Sequence, residues 1–422
     1  MLKSQRFFYG WVQVAVTLVV GAFTSGGGFW AFTIFVAPMG DELGWSRTEI
    51  FGAMTVRALG NAVIAPLMGP LQDSKHGPRV FAIATAVTLA ASMILMKWVD
   101  DLILFYLVFG LLGSFANFGS SEMMLSVVLP RWFVRKRGRA LGIGSMGTAL
   151  GPLLFPFIVT ALLAQLGWRD AWMVLGIVTL AVLGPTSLLV RGRPEDMGLT
   201  PDGEPQVSPG PGTGGMTAVS ARPNVDYTRS QVIALPAFWL IVLAASMTML
   251  GTSGFHANWI PFFRDEGFSA TEASLAAMVY GICSVSSRIL WGWGAERVTL
   301  RRLMALQALA TAFSVLLFLA IDSRAVLLLA AAANGLTLGG VFIMRPMIIA
   351  SYFGRAHLGA LNGLIRPFMT AASASSPLMV AWFFDRQESY DTAFLLIAGC
   401  WCLAAVAVFL SRMPARTAAP QP

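Results

Sequence analysis

Long apolar runs, separated by short polar segments, recur along the whole 422-residue chain. A helix of about 20 apolar residues is long enough to cross a bilayer. The first run is too long for the core of a signal peptide, so we expect it to be retained as a helix. The fold class predicted is therefore an all-α membrane protein with twelve transmembrane helices, over residues 8–36, 48–72, 78–98, 102–130, 138–166, 171–190, 235–262, 271–295, 300–321, 324–351, 358–384 and 391–411.

Residues 191–230 interrupt this rhythm. The segment contains GRPEDMGLTPDGEPQVSPGPGTGG, which is rich in Gly and Pro and poor in apolar residues. Such a composition is typical of a flexible linker. It predicts an N-terminal six-helix bundle over 1–190 and a C-terminal six-helix bundle over 231–422.

The two halves repeat each other in sequence. GWSRTE at 44–49 matches GFSATE at 267–272, an offset of 223 that also relates Gly69 to Gly292 and Asp73 to Glu296. Near an offset of 220, WFVRKRGRAL resembles YFGRAHLGAL. Parallel repeats in twelve helices are typical of a secondary transporter, with its site at midmembrane between two bundles.

The positive charges identify the orientation of the helices. The net charge of +8 by itself would also suit a nucleic-acid-binding protein. With the N-terminus placed in the cytoplasm, however, the cytoplasmic segments carry nineteen Lys and Arg residues and the outer segments carry six. This bias predicts that both termini are cytoplasmic. We therefore expect a multi-pass protein of the inner (cell) membrane whose basic segments meet the lipid bilayer and not nucleic acid.

Five charged side chains fall well inside the predicted helices, where charges are costly and rare. They are Arg57, Glu122, Arg288, Arg345 and Arg366. At 1.5 Å per residue, all except Arg57 lie roughly 10–14 Å from the cytoplasmic helix ends, in one layer. Two structural alternatives remain open: Arg side chains that reach back to the interface, and a network in which Glu122 neutralises one Arg.

The surplus of three positive charges predicts an anionic substrate. Guanidinium groups bind carboxylates bidentately and keep their charge when buried. We expect a small organic anion to bind Arg288, Arg345 and Arg366, with Arg57 as a further candidate. Polar and aromatic neighbours that would shape the pocket, unless they serve only in packing, are Asn117, Asn258, Tyr280, Phe29 and Trp30.

Glu122 is the acid of the predicted membrane interior, and a nearby anion would change its tendency to bind a proton. It is therefore the first candidate for proton coupling, with a permanent Arg–Glu strut as the alternative. His256 is a second candidate, although a lone His is often structural. No motif calls for covalent chemistry, a metal or a cofactor, so we expect no enzyme and a proton gradient as the driving force.

Several stretches resemble one family. GPLQDSKHGPR at 69–79 is similar to the loop 2–3 signature of the major facilitator superfamily, and GWGAERVTLRR at 292–302 to its weaker copy. RWFVRKRGRALGIG and RPEDMGLTPDG resemble bacterial relatives of the monocarboxylate transporters and oxalate:formate exchangers. The resemblance implies alternating access by rocking of two bundles, with helices 1, 4, 7 and 10 lining the cavity.

The resemblance also implies roles for single residues. Asp73 with Arg79, and Glu296 with Arg302, would hold the inner gate. Arg288, four residues before a Gly, is similar to the helix-8 Arg of monocarboxylate transporters, although Ser284 stands where their pattern has an acid. Arg366 resembles the second basic residue of the exchangers.

These observations predict a monomeric secondary transporter that moves a small carboxylate, by proton-coupled symport. Exchange of two carboxylates is the nearest alternative. Drug efflux is less favoured, because three surplus Arg residues would repel a cationic drug.

Overall fold

A computed structural model describes residues 8–203 and 227–414, which form helices and connecting turns and contain no β-strand. The all-α prediction is confirmed. The principal helices are α1 Gly10–Leu43, α2 Arg47–Gln72, α3 Gly77–Leu95, α4 102–132, α5 and α6 within Arg137–Leu188, α7 Pro236–Ala257, α8 Ala270–Arg297, α9 Leu300–Leu316, α10 Arg324–Phe353, α11 Leu358–Gln387 and α12 Asp391–Leu410.

Within the described ranges, nine helices are long and apolar enough to cross a membrane. One of these is Arg137–Leu188, which turns at Gly167 (φ 73°) and therefore supplies both α5 and α6. These nine helices account for ten of the twelve predicted segments. The remaining two segments are α4, which is broken, and the 30-residue α11. Residues 204–226 of the predicted linker lie outside the described residues, and the boundaries of the two bundles stay a prediction.

The fourth predicted helix, 102–130, is present as α4, but it is interrupted at 116–120. A Cβ atom at Gly119 would lie 1.9 Å from the carbonyl oxygen of Phe81, so the backbones of α3 and α4 are in direct contact there. Thr85 Oγ1 donates to the Ala116 carbonyl and accepts from Gly119 N–H, each at 2.9 Å. Gln72 Nε2 donates to the Phe118 carbonyl at 2.7 Å. These bonds satisfy backbone groups that a helix break would otherwise leave unpaired in an apolar medium.

The ends of the described chain lie on one side of the molecule, which we call the terminal face. Tyr9 Oη donates to the Leu189 carbonyl at 2.8 Å, which joins the start of α1 to the end of α6. Tyr352 Oη donates to the Ser411 carbonyl at 2.9 Å, which joins the ends of α10 and α12. The terminal face is thus shared by both halves.

At the terminal face the two halves touch through glycines. Helix α2 packs on α11, and α5 packs on α8. A Cβ at Gly138 would lie 1.8 Å from the Gly292 carbonyl oxygen, and one at Gly69 would lie 2.5 Å from that of Gly359. Only residues without side chains allow this approach, so the four glycines permit closure of the terminal face.

Two carboxylates seal the same contacts by capping helices of the opposite half. Asp73, at the end of α2, accepts from the backbone N–H groups of Gly359 and Ala360 at 2.8 and 2.9 Å. Glu296, at the end of α8, accepts from the N–H and the Nε of Arg139, both at 2.9 Å. The N-terminus of a helix favours a carboxylate because its N–H groups are unpaired and its dipole end is positive.

The structure corrects the ion pairs predicted for these acids. Asp73 pairs with Arg131 at 2.5 Å rather than with Arg79, and Glu296 pairs with Arg139 rather than with Arg302. Glu296 faces the opposite half of the protein, whereas Asp73 contacts both Arg131 of its own half and the backbone N–H groups of α11 in the opposite half. Burial raises the pKa of the Asp73 carboxyl, although Arg131 and the two N–H groups that it accepts from act in the opposite direction.

Replacing Gly138 or Gly292 by Ala is expected to open the terminal face, because the added methyl group overlaps the facing backbone. The measurement is the rate of thiol labelling at Asn362→Cys, in a background without native cysteines. Asn362 lies behind the α2–α11 contact. We expect labelling to become several-fold faster in either variant.

Gly281→Ala is the matched control, because it lies on the same helix as Gly292 and a Cβ there meets nothing within 4 Å. Equal labelling rates in Gly138→Ala, Gly281→Ala and the parent would contradict the role given to these glycines.

Candidate functional site

A cavity of about 500 Å³ lies between the two halves, inward of the sealed terminal face. Helices α2, α4, α5, α7, α9, α10, α11 and α12 all contribute to its wall. Most of the wall is apolar. The charged and polar side chains that line it are Asn61, Asn117, Ser121, Glu122, Thr148, Thr248, Gln307, Arg345, Arg366, Thr370 and Ser373.

Glu122 joins the two halves at this cavity. Arg345 Nη2 donates to Glu122 Oε1 at 2.8 Å. Arg366 Nη2 donates to the other carboxylate oxygen, Oε2. The structure therefore brings together one predicted proton-coupling residue and two predicted substrate-binding residues, and we refer to these three side chains as the ion cluster.

Local backbone features place each member of the ion cluster. Glu122 lies in the first turn that follows the break in α4. Arg345 follows a turn at Gly339 and Gly340 that divides α10. Arg366 lies two turns into α11, whose N-terminus is capped by Asp73. Two of the three members of the ion cluster, Glu122 and Arg345, are thus positioned by irregular backbone.

The ion cluster carries one excess positive charge. The Glu122 side chain is 43% exposed, whereas Arg345 and Arg366 are 18% and 16% exposed. The carboxylate is therefore the member that water in the cavity reaches most easily. In a medium of low dielectric an excess charge is costly, so the cluster favours the entry of an anion or the retention of Glu122 as its counter-charge.

Met369, which contacts the ion cluster, and Asn61, which lines the cavity, were both missed from the sequence. Arg345 Nη1 also contacts Met369 Sδ at 2.8 Å, and Asn61 lines the cavity from α2. Helical spacing could have identified Met369 from the sequence, because residues three or four apart lie on the same face of a helix. Met369 is three residues after Arg366.

Arg288 lies apart from the ion cluster. It is 4% exposed and is held between α8 and α5. Its Nη1 donates to the Ser145 carbonyl and, at 2.8 Å, to Thr148 Oγ1. Its Nε is buried and has no hydrogen-bond partner in the described part of the chain. Thr148 lines the cavity, so one side chain separates Arg288 from it.

Arg57 is likewise held by backbone. Its Nη1 donates to the Gly28 carbonyl at 2.8 Å, and its guanidinium lies 5.5 Å from the centre of the Phe109 ring. Gly28 belongs to a π-helical turn, Gly26–Trp30, within α1. The neighbouring Phe29 and Trp30 are exposed and pack edge to face against each other. Of the predicted site residues, Arg57, Phe29 and Trp30 do not line the cavity described above.

The remaining predicted residues divide between the cavity and the core of the C-terminal half. Asn117 lines the cavity. His256 lies against the rings of Tyr280 and Trp259, at 5.0 and 5.2 Å between ring centres. Asn258 donates to the Gly254 carbonyl at 2.8 Å, at the end of α7. These contacts place His256, Tyr280 and Asn258 within helix packing, away from the ion cluster.

Known proteins similar to this chain include transporters. The chain is 23% identical over 404 residues to the oxalate:formate antiporter of Oxalobacter formigenes. This alignment covers 94% of this chain and 89% of that protein. It is 23% identical over 427 residues to monocarboxylate transporter 13 of Rattus norvegicus, with 98% and 92% covered. A solved structure of a bacterial homologue of the iron transporter ferroportin, in an outward-facing state, matches with a TM-score of 0.69 and 16% identity over 94% of this chain and 99% of that chain.

The family model described as Major Facilitator Superfamily matches residues 18–269 and again 241–422. The second match begins within α7, as expected for a chain whose halves repeat. The two matches cover nearly the whole chain, and the helices provide the spans that such a fold needs. This membrane protein therefore belongs to the Major Facilitator Superfamily.

Proposed function

We propose that the protein is a secondary transporter that moves a small organic carboxylate together with a proton by alternating access. The observation that carries the proposal is the bridging of Arg345 and Arg366 by Glu122 at the central cavity. Two guanidinium groups that share one carboxylate are already arranged to bind another. The names of the two relatives, which refer to oxalate, formate and monocarboxylates, support the same class of substrate.

Charge balance explains why a proton would accompany the anion. In the empty carrier, ionised Glu122 and the two Arg residues sum to one positive charge. When Glu122 takes up a proton, it releases the guanidinium groups, and a monoanion can replace it. The sum is again one positive charge, so the empty and loaded carriers meet the same electrostatic barrier when they change state.

The terminal face is proposed to be cytoplasmic, and the membrane to be the inner membrane. The support is the excess of Lys and Arg on the segments of this face, which follows the positive-inside rule. With this orientation, the sealed terminal face corresponds to an outward-facing state. The substrate-binding role predicted for Arg288 stays a prediction, since Arg288 is held between α5 and α8 in this structure.

Exchange of two carboxylates is a second candidate, favoured by the similarity to an oxalate:formate antiporter. The two candidates differ in one measurable requirement. An exchanger takes up labelled carboxylate only when the proteoliposome contains counter-substrate, whereas a symporter also accumulates it into empty vesicles under an inward proton gradient.

Glu122→Gln is expected to abolish accumulation driven by a pH gradient, because the amide cannot carry a proton. Carboxylate binding by the wild type should strengthen as the pH falls, since protonation of Glu122 frees both guanidinium groups. In the variant this pH dependence should disappear. Uptake into proteoliposomes with and without an imposed gradient measures the first effect, and binding between pH 5 and 8 measures the second.

Counterflow, in which labelled and unlabelled carboxylate exchange without a gradient, is the control for a folded and working carrier. It should persist in Glu122→Gln. Uphill accumulation by this variant would exclude Glu122 as the proton site.

Arg345→Lys and Arg366→Lys should each weaken carboxylate binding roughly 10–100-fold, because each removes a charge-assisted hydrogen bond of about 1.5–3 kcal/mol. Thermal-shift titration of the purified variants gives the dissociation constants. Arg412→Lys, at an exposed position, is the matched control. Unchanged binding in both cluster variants would contradict the proposed site.

A further inference from the structure

The central cavity extends well beyond the ion cluster. Its other end enters the C-terminal half between α7, α9, α10 and α12. We call this part the side chamber. The apolar residues that line it are Ile241, Ala244, Ala245, Met304, Ala308, Val341, Met344, Ala404 and Val408.

Small residues on three different helices create the side chamber. Ala244 on α7, Ala308 on α9 and Ala404 on α12 are all buried, at 4%, 4% and 1% exposure, yet they border open space. Protein interiors are normally packed so closely that few voids exceed the size of a water molecule. The cavity that the three alanines border, of about 500 Å³ in all, is far larger than such a void, which indicates a site that receives an occupant.

The lining determines the chemistry of that occupant. The charged groups of the described lining, Glu122, Arg345 and Arg366, are all members of the ion cluster. Gln307, the polar residue at the side chamber, already donates to Thr311 Oγ1 at 2.9 Å and to the Thr337 carbonyl at 3.1 Å. A charged or strongly polar group in the side chamber would lose its hydration without a partner.

We propose that the substrate is a monocarboxylate with an apolar tail, whose carboxylate binds Arg345 and Arg366 and whose tail fills the side chamber. Arg345 and its neighbour Met344 line the same cavity, so a molecule held at the guanidinium group can extend directly along α10. This inference rests on the proposed function, because it assigns the carboxylate to the ion cluster. It separates tailed monocarboxylates from formate and oxalate, which leave the side chamber empty.

The test is a series of sodium salts, formate, acetate, butyrate and hexanoate, with adipate as the dicarboxylate of the same length as hexanoate. Dissociation constants come from thermal-shift titration of the full-length protein in lipid nanodiscs. From acetate to hexanoate, affinity should increase roughly fourfold for each added methylene, in line with the transfer free energy of a buried methylene. Adipate should bind more weakly than hexanoate, because its second carboxylate would face the alanines of the side chamber.

Variants of the side chamber test the location of the tail. Ala404→Leu should weaken hexanoate binding and leave acetate binding unchanged. Val406→Leu, at an exposed position on the same helix, is the matched control and should change neither. Ala308→Leu fills the side chamber from α9 and provides an independent variant if Ala404→Leu does not fold.

The results distinguish this inference from the proposed function. If affinity is independent of chain length while Arg366→Lys weakens every salt, the side chamber is excluded and the anion site stands. Equal weakening of acetate and hexanoate by Ala404→Leu would also exclude it. If Arg366→Lys leaves every affinity unchanged, the carboxylate site itself is wrong.

Discussion

Glu122 accepts hydrogen bonds from two guanidinium groups of the opposite half of the chain, and the central cavity depends on this contact. In a medium of low dielectric, each of these three charges alone would be costly, and only their proximity makes them tolerable. The contact in turn requires the break in α4 that precedes Glu122. That break is possible because Thr85 and Gln72, on neighbouring helices, pair with the interrupted backbone.

The seal at the terminal face and the ion cluster share rigid elements, which gives a physical basis for coupling them. Helix α11 carries both the N–H groups capped by Asp73 and, about two turns further on, Arg366. Helix α8 likewise carries Glu296 and Arg288. A rotation that separates the glycine contacts would therefore also move Arg366 relative to Glu122 and withdraw Arg288 from α5. Rigid-body rotation of this kind is a common way for packed domains to switch between states.

Helix positions were largely predictable because a bilayer demands a minimum apolar length. The second predicted helix, 48–72, and the observed Arg47–Gln72 differ by one residue, and the linked α5 and α6 end within two residues of expectation. The break in α4 was not predictable, because its polar backbone groups are satisfied by α3 and α2, which are distant in sequence. The same limit applied to the contacts that Asp73 and Glu296 make with the opposite half, which join residues more than 150 positions apart.

By itself the sequence determined the membrane class, the repeat, and which five ionisable residues lie well inside the predicted helices, because length, period and charge are local properties of the chain. It also placed Glu122, Arg345 and Arg366 at one depth, since rise per residue converts position into height. Only the tertiary structure decided which of the buried Arg residues face Glu122. Depth says nothing about the direction in which a side chain points around its helix, and that direction separated Arg288, held by the backbone of α5, from the Arg residues of the cavity. The side chamber also belongs to the tertiary structure, because three alanines form a space only when their helices bring them to face each other.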